Sequence, residues 1–504
     1  MPWLGNSLGA FGTRTARVVN PPYDPPVETV IFDVTASPYN ADKNGAIACQ
    51  SAVQSAYNAA RANAVGSGTH STVYFPPGTY RFSDKVTLGT IRTNDYVGQT
   101  SPSYQQRGTV AFSGYGAAIK YDNAATKFCW LQSPNVTVAA SQFQTIGNLV
   151  IEGFTIDNNF REPSQSCGTV FWTSGAYNVD NIVFRDITMT RNFYTRTTTY
   201  TSSRAGGITI RPGWLTWGQN WSYLTNISVQ NCVLYGQSKP LAILSDDIPY
   251  AYKGATPVLI DNINLADSSF DNFRHYGSNA HIGGQASGYR LNVERCHFEN
   301  SSDDGLEINA FNDIHVTDCT FTKNRQPVCL TWFSFPYMDT APHIHMKGNN
   351  YYGDCNPYWL AGVTPEPDPR PPMLPEHRLY ANDSVYAPLL ARYWGNLIIE
   401  DQTMEYGFTN VYDGSNVPIS VGVTSGGTPL NSVYINNCDF TDKQGTSTRT
   451  FIDVRQRSGY NTLPITITDC RWRNTTDGSY ALLNSNQVTL SGSRSVTTDI
   501  SGLS

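Results

Sequence analysis

The sequence predicts an all-β chain wound as a single-stranded parallel β-helix, and three observations carry that expectation. Charged residues make up only 15% of the 504 positions, against roughly 25% in an average soluble domain. Ser, Thr, Asn, Gly and Tyr take their place. Ser and Asn compete with helical hydrogen bonds, while Thr and Tyr fit a pleated surface. Second, one short motif recurs with the same polarity: two alternating apolar positions, a polar pair, then Cys-x-apolar. Third, two of its copies, centred on Cys296 and Cys319, are 23 residues apart. A unit of that length cannot bury its own apolar face and must stack on its neighbours.

The copies are Ile227–Leu234, Leu291–Phe298, Ile314–Phe321, Val433–Phe440 and Ile465–Trp472, with weaker versions at Leu149–Ile156, Ile182–Met189 and Ile260–Leu265. Alternation predicts the strand and the polar pair predicts a bend. The five motif cysteines (Cys232, Cys296, Cys319, Cys438 and Cys470) should point inward at a cramped corner. No C-x-x-C pair occurs among the ten Cys, so buried thiols are preferred to a zinc knuckle. A sandwich or propeller would show hairpins instead of one motif of constant polarity.

Residues 1–27 read as an N-terminal extension and 28–500 as the β-helix domain. Val30–Val34 predicts a strand and Ala46–Ala60 a helix that caps the apolar end of the coil. Residues 333–395 include Pro365-Glu366-Pro367-Asp368-Pro369, cannot form central strands throughout, and read as an excursion against the flank. A smaller Tyr/Thr-rich excursion spans 191–204. The helix followed by Val73-Tyr74-Phe75-Pro76-Pro77-Gly78-Thr79-Tyr80 and then the Cys-bearing coils resembles the pectin-lyase-like right-handed parallel β-helix superfamily, in its polygalacturonase-like, pectate-lyase-3-like and tailspike depolymerase branch. That resemblance implies a right-handed coil with long side loops, acting on carbohydrate.

The richest stretch for chemistry is Glu299-Asn300-Ser301-Ser302-Asp303-Asp304-Gly305-Leu306-Glu307-Ile308-Asn309. If Leu306 and Ile308 face inward, Glu307 faces outward. Hydrolysis of a glycosidic bond uses two carboxyl groups, one protonated and one ionised, so Asp303, Asp304 and Glu307 are catalytic candidates. The resemblance adds that polygalacturonase-like enzymes carry an Asp-Asp pair at such a turn, but no Gly-His-Gly or Arg-Ile-Lys follows here. Asp246, Asp247 and an outward His281 are further catalytic candidates from earlier coils. Arg211, Trp214, Trp217, His275, Asn309 and Trp332 are substrate-binding candidates: Arg pairs with sugar anions and indoles stack on apolar sugar faces. Asp side chains at turns also bond backbone amides, which is the structural alternative, and clustered carboxylates suit calcium. His343-Ile344-His345 places two rings on one side, yet standard zinc spacings are absent, so no metal or cofactor is assigned.

The preferred function is therefore a glycoside hydrolase for a polysaccharide or oligosaccharide in a groove on the coil. A polysaccharide lyase or uronate epimerase needs a base and charge neutralisation, for which only Arg274, Arg290, Lys323 and Arg325 stand near the acidic turn. A non-catalytic glycan-binding adhesin or tailspike-like protein is the third class, and a homotrimer is compatible with enzyme and adhesin alike. The net charge of -6 excludes the basic footprint of a nucleic-acid binder. No apolar run reaches the roughly 20 residues of a membrane span, and no signal peptide is visible, although the function class implies a secreted, virion or cell-surface protein.

Overall fold

The computed structural model describes residues 29–93, 104–121, 129–132, 144–157, 169–173, 177–189, 207–210, 222–236, 239–244, 258–272, 278–283, 287–299, 301, 304–309, 311–322, 324, 326–331, 343–352, 389–392, 395–406, 419–422, 430–442, 451–455, 465–473, 478–483, 488–491 and 498–499. These form the parallel β-helix that the motif predicts. Successive copies pair in parallel and in register, as in Leu291 with Ile314 and Val293 with Val316, then Ile314 with Ile344 and Val316 with Met346. One very large sheet is built this way, and a second sheet of twelve strands closes the coil.

The polar pair of each motif makes the bend by a common device. Its second residue takes the left-handed conformation, with φ near 50° at Asn231, Asp267, Arg295, Asp318, Asn437 and Asp469. Asn and Asp enter that region more readily than most residues. Arg295 is the exception, and its guanidinium is clamped on both oxygens of Asp267, at 2.6 and 2.8 Å, one rung before. The next residue turns inward. Each motif thiol then donates to the carbonyl two residues back: Cys232 to Gln230, Cys296 to Glu294, Cys319 to Thr317, Cys438 to Asn436 and Cys470 to Thr468, all at 3.3 or 3.4 Å. Ser268 does the same to Ala266 at 2.8 Å. Burial pushes the Cys232 thiol up to about 12, so it remains neutral. Seven cysteines are described as free and buried.

Inside the coil, like residues stack on like. Phe270, Phe298, Phe321 and Tyr351 form a column with ring centroids 5.0 to 5.2 Å apart and nearly parallel planes. At the N-terminal end the helix Gln50–Gly66 buries Val53, Ala56, Tyr57, Ala60 and Ala64, a 3.6-residue stripe. Tyr57 stacks on Phe112 of the first coils at 5.4 Å.

Two boundaries differ from expectation. The helix begins at Gln50, and residues Asn44–Ala48 are instead a strand. Asp42 draws that backbone into place by accepting N–H bonds from Asn44, Ala46 and Ile47, and Gly45 supplies a φ of +73°. Those amide bonds hold the Asp42 carboxyl below the usual range. The second difference lies within 333–395. His343–Lys347, Asn350–Tyr352 and Leu389–Arg392 occupy rung positions paired on both sides, so coil strands continue inside the span read as an excursion. Ile344 and Met346 provide only one alternating pair there, too little to stand out among the Pro and aromatic residues. Apart from residues 343–352, 389–392 and 395, that span lies outside the described residues, as do residues 1–27 and 191–204.

Candidate functional site

The twelve-stranded sheet carries the acidic strand Asp304–Asn309 between Ala280–Gly283 and Gln326–Thr331. Its inward positions are apolar: Ala280, Ile282, Leu306, Ile308, Val328 and Leu330 belong to the core. By alternation the other positions face out. Register then defines an outward column running Thr209, Ala242, His281, Glu307, Cys329 on consecutive rungs. A second outward column places Gly283 beside Asn309 one rung on.

Five side chains meet around this surface. Glu307 Oε2 accepts the Ser278 hydroxyl at 2.6 Å and lies 3.1 Å from His281 Nδ1. Lys239 Nζ is 2.5 Å from the same Nδ1, and His281 Nε2 is 2.5 Å from Asn309 Oδ1. Lys239 and Ser278 both come from the corner that precedes the strand, two positions before Leu241 and Ala280, which are partners in register. Ala242, a single methyl group beside His281, leaves room for the lysine to reach across. Gly283 ends its strand with φ +115°, where a Cβ would stand 2.0 Å from the Asn309 carbonyl oxygen. Only glycine lets the Asn309 rung approach so closely.

The hydrogen bonds fix what protons can do here. The Asn309 amide oxygen only accepts, so His281 Nε2 carries a proton. Nδ1 is then shared by two neighbours: as a lone pair it accepts from the Lys239 ammonium, and when protonated it donates to Glu307. His281 and Asn309 are buried, while Glu307 keeps 20% of its side chain open. Its Oε2 holds both contacts, and Oε1 has no partner among the described residues.

Of the catalytic candidates, the structure brings His281 and Glu307 together. Asp304 is the buried first residue of the same strand, on the opposite parity from Glu307, and its carbonyl accepts the Asn279 N–H at 2.9 Å. Asn309 is in contact with the site through His281. Asp303, Asp246, Asp247, Arg211, Trp214, Trp217, His275 and Trp332 lie outside the described residues, as do Arg274, Lys323 and Arg325. Arg290 stands on the larger sheet, where its Nε and Nη2 donate to the two oxygens of Asp261 at 2.7 Å, so it is not a cation of this site. Lys239 and Ser278 were not among the candidates. Each stands two residues before the first inward residue of its strand, at the corner position that Asp304 takes one rung after Ser278. Among the described residues no group of three or more His, Cys, Asp or Glu side chains is placed to hold a metal ion, and no helix is long and apolar enough to cross a membrane.

No protein-family model matches the chain, and no curated protein sequence does. Solved structures match it at low identity and low TM-score. A surface adhesin of Streptococcus pneumoniae, PfbA, is 14% identical over 93% of this chain and 91% of its own, with a TM-score of 0.43. The Dettilon tailspike protein is 10% identical over 92% and 68%, with a TM-score of 0.42. The catalytic unit of an alpha-1,3-glucanase from Streptomyces thermodiastaticus is 11% identical over 94% and 69%, with a TM-score of 0.34. The reading of the site rests on this chain's own residues.

Proposed function

We propose that the protein is a glycoside hydrolase whose reacting carboxyl group is Glu307. The observation that carries this reading is the orientation of that carboxylate. One oxygen is fixed by Ser278 and His281, and the other has no partner among the described residues, on a side chain that keeps 20% of its surface in solvent. An acid/base group held in one rotamer beside a proton donor is what cleavage of a C–O bond requires. His281 and Lys239 supply and take up the proton, and Asn309 fixes the imidazole tautomer. Asp304, the first residue of the same strand, and Asp303, its neighbour in the sequence, are the candidates for the second carboxyl group. The wealth of amide, hydroxyl and carboxyl groups at this surface suits a sugar better than an apolar ligand.

A second reading is favoured by one contact, Lys239 Nζ on His281 Nδ1. It gives the site a basic pair that the acidic composition of the turn conceals, and a lyase or epimerase abstracts a proton beside a sugar carboxylate. Incubation with a panel of neutral and acidic polysaccharides separates the two. New reducing ends without near-ultraviolet absorbance support hydrolysis. Absorbance from an unsaturated sugar overturns hydrolysis in favour of elimination. Binding without any product rejects both and leaves a glycan-binding protein.

A further inference from the structure

The larger sheet carries a second polar cluster, remote in register from Glu307, on its own outward column. There Asn264, Asn292, His315, His345 and Ile398 follow one another on consecutive rungs. His315 and His345 are therefore direct neighbours, and their rings stand at 73° with centroids 5.9 Å apart. Each is anchored at the same ring nitrogen. His315 Nε2 lies 3.1 Å from Asp313 Oδ1, and His345 Nε2 lies 3.0 Å from Glu400 Oε2. A neutral imidazole that gives its Nε2–H to a carboxylate keeps its lone pair on Nδ1. Neither Nδ1 has a partner among the described residues. Both rings are part-exposed, at 45% and 31% of the side chain.

We propose that His315 and His345 bind one divalent transition-metal ion through their two Nδ1 atoms. Three features converge on that assignment. A carboxylate on the far nitrogen is the outer-shell arrangement that orients metal-binding histidines and raises their basicity. Ring centroids 5.9 Å apart match two imidazoles that share an ion about 2.1 Å from each nitrogen. Asp313 and Glu400 supply the negative surroundings that a dication needs. Imidazole pairs favour zinc, copper or nickel over calcium. Water completes the coordination shell. The i,i+2 histidine pair visible in the sequence thus acquires its partner from the rung below, a neighbour that no spacing along the chain reveals.

Titration calorimetry of the full, chelator-treated chain with zinc chloride tests this directly, with no glycan present, so its failure leaves the reading of Glu307 untouched. The expected result is one zinc per chain with micromolar affinity. His315→Ala and His345→Ala should each weaken it at least about 10-fold, and Glu400→Gln about 10-fold through loss of the outer-shell bond. Circular dichroism confirms that each variant keeps its strands, as exposed substitutions should allow. With copper(II), electron paramagnetic resonance should show two equatorial nitrogens. The proposal is overturned if the wild-type chain binds no zinc below millimolar concentration, or if the double variant His315→Ala/His345→Ala binds it as the wild type does.

Discussion

On the twelve-stranded sheet, Thr209, Ala242, His281 and Cys329 face outward and are nevertheless buried. On the larger sheet, Arg290, Arg295 and His315 also face outward, and between 39% and 48% of each side chain remains in solvent. Rung spacing and alternation are the same in both. Exposed ion pairs on the larger sheet contribute little to stability and keep a long coil soluble. Lys239, His281 and Glu307 are different, because polar groups drawn out of water cost free energy unless they satisfy one another. A chain only 15% charged has abundant Ser, Thr and Asn with which to cover a sheet. A part-buried Lys–His–Glu contact is therefore better explained by chemistry than by packing.

Four substitutions can break or sharpen this contrast. The largest effect is expected at Glu307→Gln, which keeps the Ser278 contact and removes the titrating group. Reducing-end release should fall by about 10² to 10⁴-fold, with the melting temperature unchanged. Phe298→Ala, in the middle of the aromatic column, should cost about 3–5 kcal/mol in denaturant unfolding, and it measures the shared core beneath both faces. Gly283→Ala should cost about 2 kcal/mol or more, because its φ of +115° and the nearby Asn309 carbonyl exclude a Cβ. It should also lower turnover by displacing Asn309 from His281.

The smallest effect belongs to the exposed face. Asp267→Asn removes the carboxylate clamped by Arg295 and should cost no more than about 1 kcal/mol. Arg295 holds the Asp267 carboxyl below its usual range. A depressed carboxyl stabilises the fold above its unfolded value and ceases to do so as pH falls through the folded value. The difference between wild type and variant in urea midpoint should thus be present at neutral pH and vanish in strong acid. A loss above about 2 kcal/mol would contradict the contrast between the two faces.

Much of the coil was legible in the sequence because its signals are local. Ile314, Val316 and Phe321 alternate, and Asp318 marks the bend. What decides the residue after the bend was not legible. Cys232, Ser268 and Cys319 share a position because each can donate to the carbonyl two residues back, a requirement visible only once the bend has a shape. The site divides in the same way. Alternation alone set His281 and Glu307 outward. Lys239 and Ser278 stand on different rungs from Glu307, and rung register depends on the lengths of connections that carry no repeat. Residues 46–48 of the strand Asn44–Ala48 fall inside the expected helix because Ala46 and Ile47 fit a helical stripe equally well. The Asp42 carboxylate, bonding three amides, settles it as extended.

The central claim is that the Lys239–His281–Glu307 contact exists for reactivity and not for stability. The double variant Lys239→Met/Glu307→Gln tests it when melting temperature and glycan turnover are measured on the same preparation. Removing two opposite charges that meet only through His281, in a poorly solvated place, should leave the melting temperature unchanged or raise it, while turnover disappears. A melting temperature well below wild type, with turnover retained, would show a structural network and contradict the account.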